Sequence, residues 1–120
     1  MYLLEIDRTL NRIHITLSDR FDEPQAIALL DEIRLRMGEL ERDFLLLCDL
    51  TTLEEFSPSA RSHFRAVMDL CNEAGVRKII RIIPHPLDNF GLTIMSYIHY
   101  DSGIPVVTCK ALKEVSKHLK

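Results

Sequence analysis

The feature that most constrains this chain is an apolar run, Phe44–Leu50, interrupted only by Asp49. The run does not alternate between apolar and polar residues, so we expect both of its faces to be buried. It spans only seven residues before the hydroxyl pair Thr51 and Thr52, which is too short for a buried helix. Strands that are apolar on both faces are typical of the middle of parallel sheets. We therefore predict a central β-strand that carries Asp49 to its carboxyl end.

Two short strands are predicted before this central strand, at Tyr2–Asp7 and Arg12–Leu17. In the second of them, Ile13, Ile15 and Leu17 alternate with polar residues, which is the period of a strand with one wet face. The connection between the two strands is short, and short connections join antiparallel neighbours. The chain is therefore expected to open with a β-hairpin.

Two helices are predicted to start at Pro24 and Pro58, because proline is favoured in the first turn of a helix. After each proline, apolar residues recur at steps of four and three positions, which is the spacing of one helical face. The first helix is predicted to end near Leu40. The second is predicted to end at Gly75, a residue type that tolerates the positive φ common at helix C-termini.

The rest of the chain continues the alternation of strands and helices. The predicted elements are a strand at Val76–Ile83, a helix at Leu87–Tyr100, a strand at Val106–Cys109 and a helix at Ala111–Leu119. The order is ββαβαβαβα, which predicts an α/β fold with a mostly parallel five-stranded sheet, an opening antiparallel hairpin and four helices. We interpret residues 1–120 as a single domain, since a chain of 120 residues can bury a core without disulfides or metal.

This order of elements has a consequence for association. If the strands lie in chain order, right-handed crossovers place all crossover helices on one face of the sheet. Half of the apolar side chains of Phe44–Leu47 would then be left uncovered on the other face. Uncovered apolar patches usually mark association surfaces, so a homodimer is predicted.

The net charge of −3 gives no electrostatic reason to expect binding to nucleic acid or to an anionic membrane. The first residues lack the features of a signal peptide, and no apolar run approaches the roughly 20 residues needed to span a bilayer. The cysteines, Cys48, Cys71 and Cys109, are odd in number and widely spaced. This pattern favours reduced thiols and a cytoplasmic location.

Signatures of catalysis, metal binding and phosphate binding are weak. His85 and His99 could form a zinc-binding pair, but they lack a closely spaced third ligand, and the cysteines form no CxxC motif. The four glycines follow neither a Walker nor a dinucleotide-binding spacing. We therefore expect no enzyme, no metal and no cofactor, with buried thiols and surface imidazoles as the ordinary interpretation.

The end of the central strand and the start of the second helix resemble a known family. Cys48-Asp49-Leu50-Thr51 is similar to the strand end of the STAS and SpoIIAA-like anti-sigma-factor antagonists, where a small hydroxyl residue follows an aspartate. Ser59 falls where the phosphorylated serine of the family's Asp-Ser-Ser-Gly helix start lies. Ser57, Pro58 and Ala60 replace the other three residues of that motif.

The resemblance covers nearly the whole chain by element order, and it is nearer to the divergent SpoIIAA-like branch. It implies a SpoIIAA-like fold. It also implies a non-enzymatic regulatory domain that binds a protein partner through the loop and helix after the central strand, residues 51–65. The candidate partner-binding or phosphorylation residues are Ser57, Ser59, Asp49, Thr51, Glu54 and Glu55.

Several of these residues also have a plain structural interpretation. Ser57 is a preferred residue type for capping a helix, with or without a phosphorylation switch. Asp49 could orient the loop or bind a cation together with Glu54 or Glu55, but an aspartate at a strand end often only accepts hydrogen bonds from loop amides. Glu54 and Glu55 are most simply a solvated loop.

An alternative function is the binding of a small apolar or anionic ligand, such as a lipid, between the second and third helices. The pocket would be lined by Phe64, Met68, Phe90 and Met95, although such residues are more often plain core. A basic cluster follows on the next strand, formed by Arg77, Lys78 and Arg81. It could receive an acidic partner or a lipid head group, or it could simply be the solvent side of a strand.

Overall fold

We describe residues 1–83 and 104–119 of a computed structural model of the chain. The strands and α-helices in this part are β1 (Tyr2–Asp7), β2 (Arg12–Leu17), β3 (Asp19–Phe21), α1 (Glu23–Arg36), β4 (Leu45–Asp49), β5 (Leu53–Phe56), α2 (Arg61–Glu73), β6 (Lys78–Ile82) and β7 (Val106–Cys109). Three short 3₁₀ helices cover Met37–Glu39, Pro58–Ala60 and Leu112–His118.

The main sheet is mixed and contains five strands in the order β1-β2-β4-β6-β7. The opening hairpin, β1 with β2, is antiparallel, as predicted. The other three neighbouring pairs are parallel. The predicted apolar run forms β4, which lies in the middle of the sheet between β2 and β6. The α/β class and the central position of this strand are therefore confirmed.

A second sheet of two strands was not predicted. β3 pairs in parallel with β5, although no strand was predicted between Leu17 and Pro24, and Glu54 and Glu55 were expected to lie in a loop. Both strands are too short and too polar to show a strand period, and each is held in place by one buried aromatic residue. Phe21 and Phe56 pack with ring centroids 5.4 Å apart, and both contact Phe64 of α2 in edge-on geometry. Such aromatic pairs add to the energy of burial.

The prediction of four helices needs correction. The first and second predicted helices are present as α1 and α2, each extended by a 3₁₀ turn. The fourth, at 111–119, is instead the 3₁₀ helix Leu112–His118, whose N-terminus has no side-chain cap. Nucleating an α-helix is costly, so a short uncapped segment readily takes the 3₁₀ form. The third predicted helix, at 87–100, lies outside the described residues.

The main core lies between the sheet and the two α-helices. We call this side of the sheet the helix face. Its buried side chains include Ile13, Ile15, Leu46 and Ile79 from the strands and Leu30, Ile33, Phe64 and Val67 from the helices. Because side chains alternate along a strand, the remaining strand residues point to the opposite side, which we call the reverse face.

The reverse face is partly covered, which corrects the expectation that it is bare. Leu45, Ile80, Ile82 and Cys109 form a smaller buried cluster with Val115 of the C-terminal 3₁₀ helix. This helix therefore covers the β4-β6-β7 half of the face. The β1-β2 half has no such cover among the described residues. The homodimer inferred from a bare face stays a prediction.

Asn11 fixes the position of the hairpin against the connection that leads into β4. Its φ of 53° is unusual for a residue other than glycine. Its side chain accepts a hydrogen bond from the Glu41 amide at 2.8 Å and donates to the Glu41 carbonyl at 3.2 Å. Its own carbonyl accepts from the Leu45 amide at 3.1 Å. These three bonds set where β4 begins.

Gly75 ends α2 in the left-handed conformation, with a φ of +96°. Its carbonyl accepts a hydrogen bond from the Asp43 amide at 2.8 Å, so the turn also ties α2 to the connection before β4. A Cβ atom at this position would lie 2.9 Å from the guanidinium carbon of Arg42. The predicted C-terminal glycine is therefore confirmed.

Replacing Leu46 by alanine should lower the free energy of unfolding by about 2–5 kcal/mol, because the side chain is fully buried in the main core and the change leaves a cavity. Leu35→Ala is the matched control: Leu35 is 86% exposed, so its loss should change stability by less than about 0.5 kcal/mol. Urea denaturation measures both. Near-wild-type stability of Leu46→Ala would contradict the central position of β4.

Replacing Gly75 by alanine should cost about 1–2 kcal/mol, the penalty of a left-handed backbone for a residue with a Cβ atom. Gly38→Ala is the control, because nothing lies within 4 Å of the added methyl group and its φ is not positive. We expect that variant to be as stable as the parent or slightly more so, since alanine favours helices over glycine. Equal melting temperatures for the two variants would disprove the assignment.

Candidate functional site

The predicted site lies where β4 ends, and Asp49 is its first member. The Asp49 carboxylate accepts hydrogen bonds from the Thr51 amide at 3.0 Å and from the Thr51 hydroxyl at 2.5 Å. This is the local turn that the plain structural interpretation describes. Among the described residues, no three His, Cys, Asp or Glu side chains come together to hold a metal ion.

The acidic pair of the site, Glu54 and Glu55, lies on β5 rather than in a loop. Leu53 and Phe56 at the two ends of this strand are buried, and the two glutamates between them are exposed. Glu55 forms an ion pair with Arg20 of β3 at 3.5 Å. Both side chains of this pair are more than half exposed, so it contributes little to stability. The two-stranded sheet β3-β5 thus carries acidic side chains that are exposed to solvent.

Ser57 and Ser59 have opposite environments. Ser57 is only 6% exposed, and its amide donates to the Phe21 carbonyl at 2.9 Å. Its hydroxyl has no hydrogen-bond partner among the described residues, and the predicted side-chain cap is absent there. Ser59 is exposed in the 3₁₀ turn that leads into α2. Of the two, Ser59 is therefore the one that a kinase can reach in this fold.

The first turns of α1 and α2 meet beside this site. His63 and Glu23 approach to 3.3 Å between ring nitrogen and carboxylate oxygen. Their positions differ by 40 residues, so no local sequence pattern signals the contact. Two further buried polar atoms, Gln25 Oε1 and Arg61 Nε, have no partner within the described part of the chain.

Two of the four residues of the pocket predicted between the second and third helices lie in the described part of the chain. Phe64 and Met68 are fully buried in the main core, which agrees with the expectation that such residues are more often core than pocket lining. Phe90 and Met95 lie outside the described residues, and so do His85 and His99.

The basic cluster on β6 is not a solvent-facing stripe, so that interpretation was wrong. Arg77 is exposed before the strand, whereas the Lys78 ammonium donates to the His118 carbonyl at 2.6 Å. Arg81 is buried, and its guanidinium donates to the Thr108 hydroxyl at 2.5 Å. Burial lowers the pKa of Arg81. Alternation along the strand sends Lys78 and Arg81 to opposite faces.

One surface feature had no signal in the linear sequence. A groove of about 790 Å³ lies on the reverse face, between the β1-β2 hairpin and the C-terminal 3₁₀ helix. Its lining combines strand residues such as Arg12, His14 and Leu47 with Leu119 from the far end of the chain. Only the folded topology brings these segments together.

Comparison with solved structures identifies the fold. The anti-sigma factor antagonist SpoIIAA in its unphosphorylated form matches with a TM-score of 0.65 and 18% identity, over 98% of this chain and 94% of that one. An uncharacterized DUF3478 protein from Shewanella loihica with a SpoIIAA-like fold matches with a TM-score of 0.65 and 10% identity, over 100% and 93% of the two chains.

A third match is a complex from Pseudomonas aeruginosa, the diguanylate cyclase SiaD with its activator SiaC. It has a TM-score of 0.60 and 12% identity and covers 91% of each chain. No family model and no curated protein matches the sequence. The predicted resemblance to STAS and SpoIIAA-like domains is thus confirmed at the level of the fold. None of the described helices is long and apolar enough to cross a membrane.

The cysteine thiols should be unreactive in the folded protein. All three are buried, and burial raises the pKa of Cys48 far above its usual value and that of Cys71 to about 12. A thiol-specific reagent should label them only as fast as the chain unfolds, and all three should react at once in urea. Rapid labelling of Cys48 or Cys71 under native conditions would contradict this result.

The same burial gives a pH dependence. Burial raises the pKa of the Cys71 thiol to about 12, whereas the unfolded chain has the ordinary thiol value of about 8.5. Its contribution to stability is therefore complete below about pH 8.5 and is lost as the pH rises through this window. A Cys71→Ala variant should show a shallower loss of stability in alkaline urea melts.

Proposed function

We propose that this chain is a non-enzymatic regulatory domain that binds a protein partner through residues 51–65. The fold extends over almost the whole chain of an anti-sigma factor antagonist. The same fold also occurs in SiaC, which is in complex with the diguanylate cyclase that it activates. Two proteins of this fold thus regulate others, which supports an interaction role and does not identify the partner of this chain.

The observation that supports the proposal is the position of the acidic pair, which is exposed on a strand whose backbone is fixed. Pairing of β5 with β3, together with the contacts among Phe21, Phe56 and Phe64, holds β5 against the core. The backbone of β5 is therefore held in place while Glu54 and Glu55 stay exposed, so a partner that binds them does not have to order the backbone of this segment. Exposed charges of one sign favour a partner surface of the opposite sign, and they act mainly on association rate and specificity.

Ser59 supplies a means of regulation within the same surface. A phosphate on its exposed hydroxyl would add close to two negative charges. The segment already carries Glu54 and Glu55, so phosphorylation would strengthen the field toward a basic partner or expel a partner that contacts the serine directly. Ser57 offers no such route while its hydroxyl is buried.

Charge reversal on β5 is the direct test. Immobilised protein captures its partner from a native lysate. Glu54→Lys combined with Glu55→Lys should abolish capture, because both side chains are exposed and the core is untouched. Asp69→Lys combined with Glu73→Lys is the matched control, since both residues are exposed on α2 outside 51–65 and the same number of charges is reversed. Equal capture by all three proteins would disprove the proposed surface.

The serine is tested with the same assay. Ser59→Asp should change the amount of captured partner, whereas Ser62→Asp, a second exposed serine on the neighbouring turn, should have a smaller effect. Intact mass after incubation with lysate and ATP tests modification itself. An absence of added phosphate would argue against a switch at Ser59 and would leave the binding surface to be judged by the β5 variants.

A further inference from the structure

The groove on the reverse face is formed by strand register. Asp7, Arg12 and Leu45 lie side by side on β1, β2 and β4, which forms one row across the sheet. The residues that precede or follow each of them, such as Ile6 and Ile13, pack toward the main core, so this row points into the groove.

A second row lies next to the first and has the same pattern. It contains Glu5, His14 and Leu47. In each row the apolar side chain of β4 lies at the inner end and the polar side chains of the hairpin lie toward the edge. The two rows therefore form a floor that is apolar on one side and charged on the other.

The wall of the groove comes from the C-terminal 3₁₀ helix. Val115 and Leu119 continue the apolar surface of the floor upward, and Leu112 stands at the edge with 57% of its surface exposed. The Lys78–His118 hydrogen bond anchors this helix to β6. The groove thus lies between the β1-β2 hairpin and the C-terminal 3₁₀ helix. Its volume of about 790 Å³ falls within the range of small-molecule sites.

Two carboxylates, Glu5 and Asp7, and two guanidiniums, Arg8 and Arg12, lie at the edge, so the charges are equal in number but differ in position. Asp7 already accepts a hydrogen bond from the Leu10 amide at 3.0 Å, and Glu5 lies opposite His14 in the hairpin register. None of these four side chains forms an ion pair within the described part of the chain, but Arg8, after Arg36, helps to hold the pKa of the Glu39 carboxyl low. Arg12 lies on β2, between the carboxylates of β1 and the apolar side chains of β4, so it is the charged group nearest to the apolar surface. Its planar guanidinium suits carboxylates and phosphates.

We propose that this groove binds an anionic amphiphile, a molecule with one carboxylate or phosphate head and an unbranched apolar tail. The head contacts Arg12, and the tail lies along Leu47, Val115 and Leu119. Concave shape favours a small molecule over a second copy of the sheet, since two concave faces would leave a void between them. This site is separate from residues 51–65 and does not depend on the proposed partner surface.

Binding is tested by calorimetry with dodecanoate, dodecyl phosphate, dodecyltrimethylammonium and inorganic phosphate, each below the concentration at which micelles form. The two anionic amphiphiles should bind, and the cation with the same tail should bind at least about tenfold more weakly, the effect of one charge-assisted hydrogen bond. Preference for dodecanoate or for dodecyl phosphate distinguishes a carboxylate ligand from a phosphate ligand. Binding of inorganic phosphate as tight as that of dodecyl phosphate would overturn the role of the apolar wall.

Variants locate the site. Arg12→Gln should weaken dodecanoate binding about tenfold by removing one charged donor, and Arg77→Gln, at an exposed arginine away from the groove, should not. Ser116→Trp places an indole in the groove from an exposed position and should block binding. Because Ser116 contributes nothing to the core, this variant tests the site even if Arg12→Gln fails to fold.

Three results would overturn the proposal. One is equal affinity for the anionic and cationic amphiphiles. Another is dodecanoate binding that survives Ser116→Trp. The third is a sedimentation mass of two chains that falls to one with Ser116→Trp, because a second copy would then occupy the groove. If the β5 variants lose partner capture but bind dodecanoate unchanged, the groove and the partner surface are independent of each other.

Discussion

The structure depends on the burial of both faces of β4. Leu46 and Cys48 enter the main core under α1 and α2, while Leu45 joins the smaller cluster under the C-terminal 3₁₀ helix. A strand of this kind has no wet side, so the elements on both sides of the sheet must be in place before its apolar surface is fully buried. The helix face and the reverse face are therefore coupled through one five-residue strand.

Much of this fold could be predicted because its signals are local. The apolar run of β4, the alternation in β2, the first-turn prolines and Gly75 each report a nearby burial pattern or backbone conformation. The two-stranded sheet β3-β5 could not be predicted. Its strands have three and four residues, and they are stabilised by aromatic contacts between distant segments rather than by any period in the sequence.

The candidate site shows the same division. The sequence pointed to Asp49, Glu54, Glu55 and Ser59 at the end of β4, and the structure places the two glutamates and Ser59 at the surface nearby. It did not reveal that Ser57 is buried, since serine is common both as a cap and as an exposed turn residue. Nor could it reveal the groove, because Arg12 and Leu119 become neighbours only after the C-terminal helix folds over the sheet.

The hydrogen bonds of Asn11 affect the register of β4 in the sheet. A shift of β4 by a single residue would exchange its two sets of side chains, moving Leu46 and Cys48 outward and Leu45 and Leu47 inward. Such a shift in register would remove the β4 side chains from the main core and would also change the side chains that line the groove. The side chain of Asn11 thus helps to fix the register of β4, on which both the packing of the main core and the lining of the groove depend.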